Sequence, residues 1–103
     1  MARWVLVGLV TDFPEGEARE VVAEGRVLAL FCVDGSIYAL DGVCPHQGGP
    51  LGRGSLRGCI VTCPWHGWQY DVRTGQHQSI PSLVHRSYPV QIRDNQVFVD
   101  VDS

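Results

Sequence analysis

Two hexapeptides, Cys44-Pro45-His46-Gln47-Gly48-Gly49 and Cys63-Pro64-Trp65-His66-Gly67-Trp68, constrain this chain more than any other feature. Each opens on Cys-Pro, carries a histidine two or three positions after the cysteine, and follows it with glycine. Proline directly after the cysteine stiffens each loop. Gly48, Gly49 and Gly67 permit sharp turns and can open backbone N–H groups toward an anionic centre. The half-motifs agree in order, spacing and flanks, which argues against a chance gathering of two cysteines and two histidines. A fold for this chain has to present two such loops to one another.

The chain has 103 residues, so a single domain over 1–103 is expected. With 45% apolar residues a packed core is expected rather than disorder. The net charge of −3, with only eight Lys and Arg and no basic run, argues against nucleic acid as a partner. The apolar run from Trp4 to Val10 is followed by Asp12 and Phe13 rather than by a small-residue cleavage site, and reads as a first β-strand. Nothing approaches the ~18 apolar residues of a membrane span. A soluble, cytoplasmic protein is therefore expected. In that compartment cysteine beside histidine suggests a metal before a disulfide.

Short β-rich runs separated by turn residues dominate the rest. Strands are expected at 4–9, 18–23, 26–33 and 36–40, with turns at Glu24-Gly25 and Asp34-Gly35. Asp-Gly between apolar runs is a strong hairpin signal. Residues 26–33 (RVLALFCV) are apolar at consecutive positions, which places that strand between two layers. From 41 to 75 the texture changes, with glycine at 42, 48, 49, 52, 54, 58, 67 and 75 and short strands expected at 59–62 and 68–71. Strand texture returns at 86–93 and 96–101, with Val97, Val99 and Val101 on one face. The chain thus reads as an all-β framework, 1–40 and 76–103, carrying a loop-rich insert at 41–75.

Cys44, His46, Cys63 and His66 can be read as a tetrahedral zinc site or as ligands of a two-iron, two-sulfide cluster. Cys-x-His is too tight a spacing for one small ion in regular structure. On a turning loop it can serve two adjacent ions, which favours the cluster.

The motif CPHQGGPL with CPWHGWQYD and Thr74-Gly75 resembles the Rieske iron–sulfur family, and most closely the soluble Rieske ferredoxins of ring-hydroxylating dioxygenase systems. The resemblance spans nearly the whole chain. It implies a Rieske-type fold, an antiparallel β-sandwich with a small cluster-binding subdomain, and one [2Fe-2S] cluster. It further implies that Cys44 and Cys63 hold the inner iron, and His46 and His66 the outer one.

That ligand set has physical consequences. Two ferric ions, two sulfides and two thiolates sum formally to zero, so adding an electron is easier than with four thiolates. Rieske potentials accordingly span about −150 to +300 mV, against about −400 mV for all-cysteine plant-type clusters. In family members of quinol-oxidising complexes, a disulfide joins the two loops and a serine donates to a bridging sulfide. The matching positions here are Gly49 and Trp65, and Trp68. Only Tyr70 matches a donor, so a potential near the low end, about −150 mV, is expected. The histidines' outer N–H groups imply that the potential falls as pH rises through their ionisation.

The resemblance implies a one-electron carrier between a flavin-containing NAD(P)H-dependent reductase and a terminal oxygenase. Docking would be transient, around His46 and His66, and below about 1,200 Å². An enzyme is not expected: a mononuclear iron site needs two histidines and a carboxylate, and only His77 and His85 remain. No GxGxxG marks a nicotinamide or flavin site. The alternatives are a subunit of a nitrite-reductase-like or arsenite-oxidase-like complex, and a zinc-bound interaction module. His77 and His85 are expected as solvated or hydrogen-bonded loop residues, and Cys32 and Cys59 as buried thiols. Trp4, Phe31 and Phe98 are expected in the core, and 12–20 as a solvated loop entering a strand. Trp65 and Trp68 are expected either beneath the cluster or on a docking face.

Overall fold

The computed structural model describes residues 2–45, 48–65 and 67–102. Among these residues ten strands follow in order: β1 Trp4–Leu9, β2 Ala18–Ala23, β3 Arg26–Val33, β4 Ser36–Asp41, β5 Ser55–Arg57, β6 Ile60–Thr62, β7 Gln69–Asp71, β8 Ser87–Tyr88, β9 Val90–Arg93 and β10 Gln96–Asp100. Single 3-10 turns occupy Val10–Asp12 and Leu51–Arg53. No helix among the described residues is long and apolar enough to cross a membrane.

Every strand pair is antiparallel. The strands form three sheets, ordered β1-β10-β9, β2-β3-β4-β8 and β5-β6-β7. The tight turns are set by local chemistry. Glu24-Gly25, Asp34-Gly35 and Asp94-Asn95 all have both φ angles positive, at 52° and 74°, 51° and 79°, and 50° and 65°. Two-residue hairpins require this, because such turns follow the twist of the flanking strands.

β3 divides the molecule. Its alternate residues Leu28, Leu30 and Cys32 point into one core with Val97, Val99 and Val101. Ala29, Phe31 and Val33 point into a second core, which contains Cys44, Leu51, Val61, Cys63 and Tyr70. The continuous apolar run is thus explained by burial of both strand faces. One face packs on the β1-β10-β9 sheet and the other supports the two hexapeptide loops.

Several expectations need correction. Trp4 is 40% exposed, because β1 faces the core with Val5 and Val7. Phe98 alternates with Val97 and Val99, so it lies on the outer face of β10 and is only half-buried. Segment 12–20 is more than a solvated loop. Phe13 is buried, and the Glu15 carboxylate accepts the N–H groups of Asp34 and Gly35 at 2.7 and 2.9 Å. The run 86–93 is two strands interrupted at Pro89, which has no N–H to donate to a ladder. β5 was not expected, being three residues long between Gly54 and Gly58.

Candidate metal centre

The two hexapeptides close in the same way. The N–H of Cys44 donates to the carbonyl of Gly49 at 2.8 Å, and the N–H of Cys63 to the carbonyl of Trp68 at 2.8 Å. In each, the first residue is bonded to the last. The fifth residues, Gly48 and Gly67, share positive φ, at 73° and 70°. The second loop is the tip of the β6–β7 hairpin, directly beyond the Thr62–Gln69 pair. The first is pinned at its base by the Val43–Pro50 bridge and by Leu51 N–H to the Gly42 carbonyl, 2.9 Å.

Both cysteines are only 1% exposed. Burial pushes the Cys63 thiol up from its ordinary value, and the adjacent Cys44 thiol adds to the shift, while the Trp65 N–H opposes it. A thiolate at Cys63 in this apolar core would need a compensating cation. That donor chemistry fits a metal or iron–sulfur centre. Tyr70 is fully buried in the same core, with its hydroxyl 3.4 Å from Cys44 Sγ. Burial holds its phenol well above the usual range, and the Cys44 thiol contributes further. The hydroxyl therefore keeps its proton, and the 3.4 Å contact leaves either atom free to be the donor.

Gly49 fits by size rather than by backbone angle. A Cβ there would lie 2.7 Å from Cys63 Sγ and 3.0 Å from Trp65 Cβ. Positions 49 and 65 thus touch, as the disulfide-bearing pattern would need, but here a glycine lies against a tryptophan.

His46 and His66 lie outside the described residues. Among the described residues no three His, Cys, Asp or Glu side chains gather as a metal site. Trp65 and Trp68 differ in burial. Trp65 is 50% exposed, while Trp68 packs against the second core. Cys32 is a buried free thiol as expected, whereas Cys59 is half-buried. His77 and His85 follow the hydrogen-bonded one of their two expectations, each ring being bonded to backbone, but they are 6% and 7% exposed and both lie near the Tyr70 ring. No local pattern signals this. It depends on the pairing of segments 69–71, 76–77 and 84–85.

A family model described as the Rieske [2Fe-2S] domain matches residues 3–93. The ferredoxin component of the p-cumate 2,3-dioxygenase system of Pseudomonas putida is 42% identical over 102 residues, covering 93% of this chain and 86% of that protein. The Sphingomonas yanoikuyae B1 ferredoxin superposes with a TM-score of 0.87 at 32% identity, over 95% of this chain and 98% of that one. A chain from the complex of reduced oxygenase and oxidized ferredoxin in carbazole 1,9a-dioxygenase superposes at 0.86 with 29% identity, over 94% and 92%. With the cysteine loops built as they are and the match running almost end to end, this chain belongs to the Rieske [2Fe-2S] domain family.

Proposed function

We propose that this chain is a one-electron carrier that takes electrons from an NAD(P)H-dependent flavoprotein reductase and delivers them to a terminal, ring-hydroxylating oxygenase. A Rieske-type iron–sulfur cluster, when bound, supplies the one-electron redox couple. We assign Cys44, His46, Cys63 and His66 as its ligands, with one cluster per chain. The observation that carries this reading is the matched closure of the two hexapeptides, which buries Cys44 and Cys63 side by side beneath the Tyr70 hydroxyl.

The protein's own residues do three things. The second core excludes water from the cysteines. With Cys44 as a thiolate ligand, the Tyr70 hydroxyl 3.4 Å away is the donor of that pair and favours added negative charge there. Around the loops the surface is apolar and exposed, through Val43, Pro45, Pro64 and Trp65. Such a rim suits a small, transient contact of less than about 1,200 Å². The ferredoxin–oxygenase complex of carbazole 1,9a-dioxygenase, whose chain this one resembles, supports an oxygenase as the receiving partner.

The carrier role, rather than catalysis, agrees with the relatives' naming as ferredoxin components. His77 Nδ1 and His85 Nε2 are hydrogen-bonded to backbone, which ties both rings into the fold beside Tyr70. The chain works as one domain over 1–103, with 41–75 as the cluster-holding part on the framework 1–40 and 76–103. The unbridged thiols Cys32 and Cys59 support a reducing, cytoplasmic setting.

The test is reconstitution. Purified protein should contain iron and acid-labile sulfide. Added to an NADH-oxidising flavoprotein reductase and a ring-hydroxylating oxygenase of the cumate type, it should make product formation depend on its concentration. Zinc in place of iron, or an iron-loaded protein that the reductase cannot reduce, would overturn the assignment.

A further inference from the structure

Tyr70 is the one described side chain with a hydroxyl on a proposed ligand, and two histidine rings lie close to its own. The His77 ring stands perpendicular to it, with centroids 5.2 Å apart at 87°. The His85 ring lies 5.4 Å away, tilted by 40°. His77 is also perpendicular to Trp68, at 4.7 Å and 86°. The two edge-to-face contacts of His77 are favourable and fix ring orientation.

Each histidine is anchored through one ring nitrogen. His77 Nδ1 accepts the N–H groups of Ser79 and Ile80, both at 3.0 Å, which leaves the ring proton on Nε2. His85 Nε2 donates to the Asp41 carbonyl at 2.8 Å. The backbone mounts the three rings on adjacent segments. Tyr70 and His77 are bridge partners. The His85 N–H donates to the Gly75 carbonyl at 2.7 Å. A Cβ on Gly75 would run into the His85 carbonyl oxygen, so this approach requires glycine.

One feature of His77 is costly. Its Nε2 is buried and has no hydrogen-bond partner among the described residues. An alkyl side chain of similar size would avoid that desolvation penalty. Anchoring segment 79–80 needs only an acceptor at Nδ1. The whole ring is needed only for what it touches, Trp68 and Tyr70.

We propose that His77 and His85 are positioning residues of the electron-transfer site, a clamp that sets the angle at which Tyr70 presents its hydroxyl to Cys44 Sγ. This rests on the cluster reading above. A hydrogen bond to the thiolate stabilises the more negative, reduced state. Loosening the clamp therefore lowers the reduction potential by way of Tyr70.

The experiment is redox titration of the holoprotein, wild type against Tyr70→Phe, His77→Asn, His85→Gln and the two double variants with Tyr70→Phe. Asparagine retains an acceptor for Ser79 and Ile80, and glutamine a donor for Asp41, while both remove the ring. Tyr70→Phe should reduce the reduced-to-oxidised ratio at fixed ambient potential by roughly tenfold, about 59 mV for one electron. Each histidine variant should shift the same way, no further than Tyr70→Phe, and should add nothing in the Tyr70→Phe background. Wild-type potentials in both histidine variants, shifts that add to that of Tyr70→Phe, or no shift in Tyr70→Phe itself would each overturn the clamp. If His77→Asn does not accumulate, His77→Phe decides. It keeps a ring and loses the acceptor, so its melting temperature should fall while its potential stays at the wild-type value. A shift matching Tyr70→Phe would count against the proposal. Failure of the cluster reading looks different: the wild-type protein would then show no iron-based redox transition at all.

Discussion

At the scale of single residues, the likeness of the two cysteine loops was legible because the matched spacing of the hexapeptides is a local property of the chain. So was the tyrosine seven residues after Cys63. The requirement for glycine at 49 was legible only as a turn, and its real cause is tertiary. The space a side chain would need is taken by Cys63 Sγ and Trp65. Gly49→Ala is therefore expected to lose most of its iron on purification, read by iron and sulfide content per chain. Gly58→Ala is the control. It also sits at positive φ, 59°, but nothing lies within 4 Å of its added Cβ, so its iron content should match wild type. Equal iron in both variants would show that the loop apposition is not what holds the site. The burial of His77 and His85 could not be read, because neither has a periodic pattern around it. Their environment is made by segments brought together only in the fold.

At the scale of elements, the strands with two-residue turns were readable, since Asp-Gly carries its own backbone preference. What could not be read is how a distant side chain secures such a turn. Glu15 caps the β3–β4 turn through the N–H groups of Asp34 and Gly35. Those two hydrogen bonds, Gly35 first, hold its carboxyl below the ordinary carboxylate range, with the Cys32 thiol a smaller contributor. A carboxylate depressed in the folded state stabilises the fold above its unfolded pKa of about 4.3. That contribution disappears as pH falls through the folded value. Glu15→Gln should thus lower the melting temperature by a few degrees at neutral pH, and the gap between variant and wild type should close below about pH 4. A gap that persists unchanged at low pH would show that the charge is irrelevant to the turn. Pro89 makes the opposite point. It is visible in the sequence, yet the run around it looks continuous, because alternation survives the break.

At the scale of the whole molecule, the double-sided apolar character of β3 anticipated a strand between layers. The sequence did not reveal which residues would share a core with the cysteines. Leu30 faces the framework core and Phe31 the core beneath the loops. Both side chains are fully buried. Leu30→Ala should cost about 2–5 kcal/mol and Phe31→Ala about 3–5 kcal/mol in chemical denaturation. Only Phe31→Ala should also speed loss of visible absorbance under chelator, since it opens a cavity in the core that contains Cys44 and Cys63. Equal bleaching rates in the two variants would mean that the cores are not functionally distinct. The layering also explains a misplaced Trp4. A single aromatic at a strand start does not reveal which face is covered, and β1 buries its valines instead.

The most direct test of the central claim is pulsed electron paramagnetic resonance of the reduced protein, prepared with ¹⁵N-histidine. Two strongly coupled histidine nitrogens on a diiron centre, lost in turn with His46→Cys and His66→Cys, are the predicted result. A reduced centre showing no histidine nitrogen coupling, or couplings that survive both substitutions, would contradict the account.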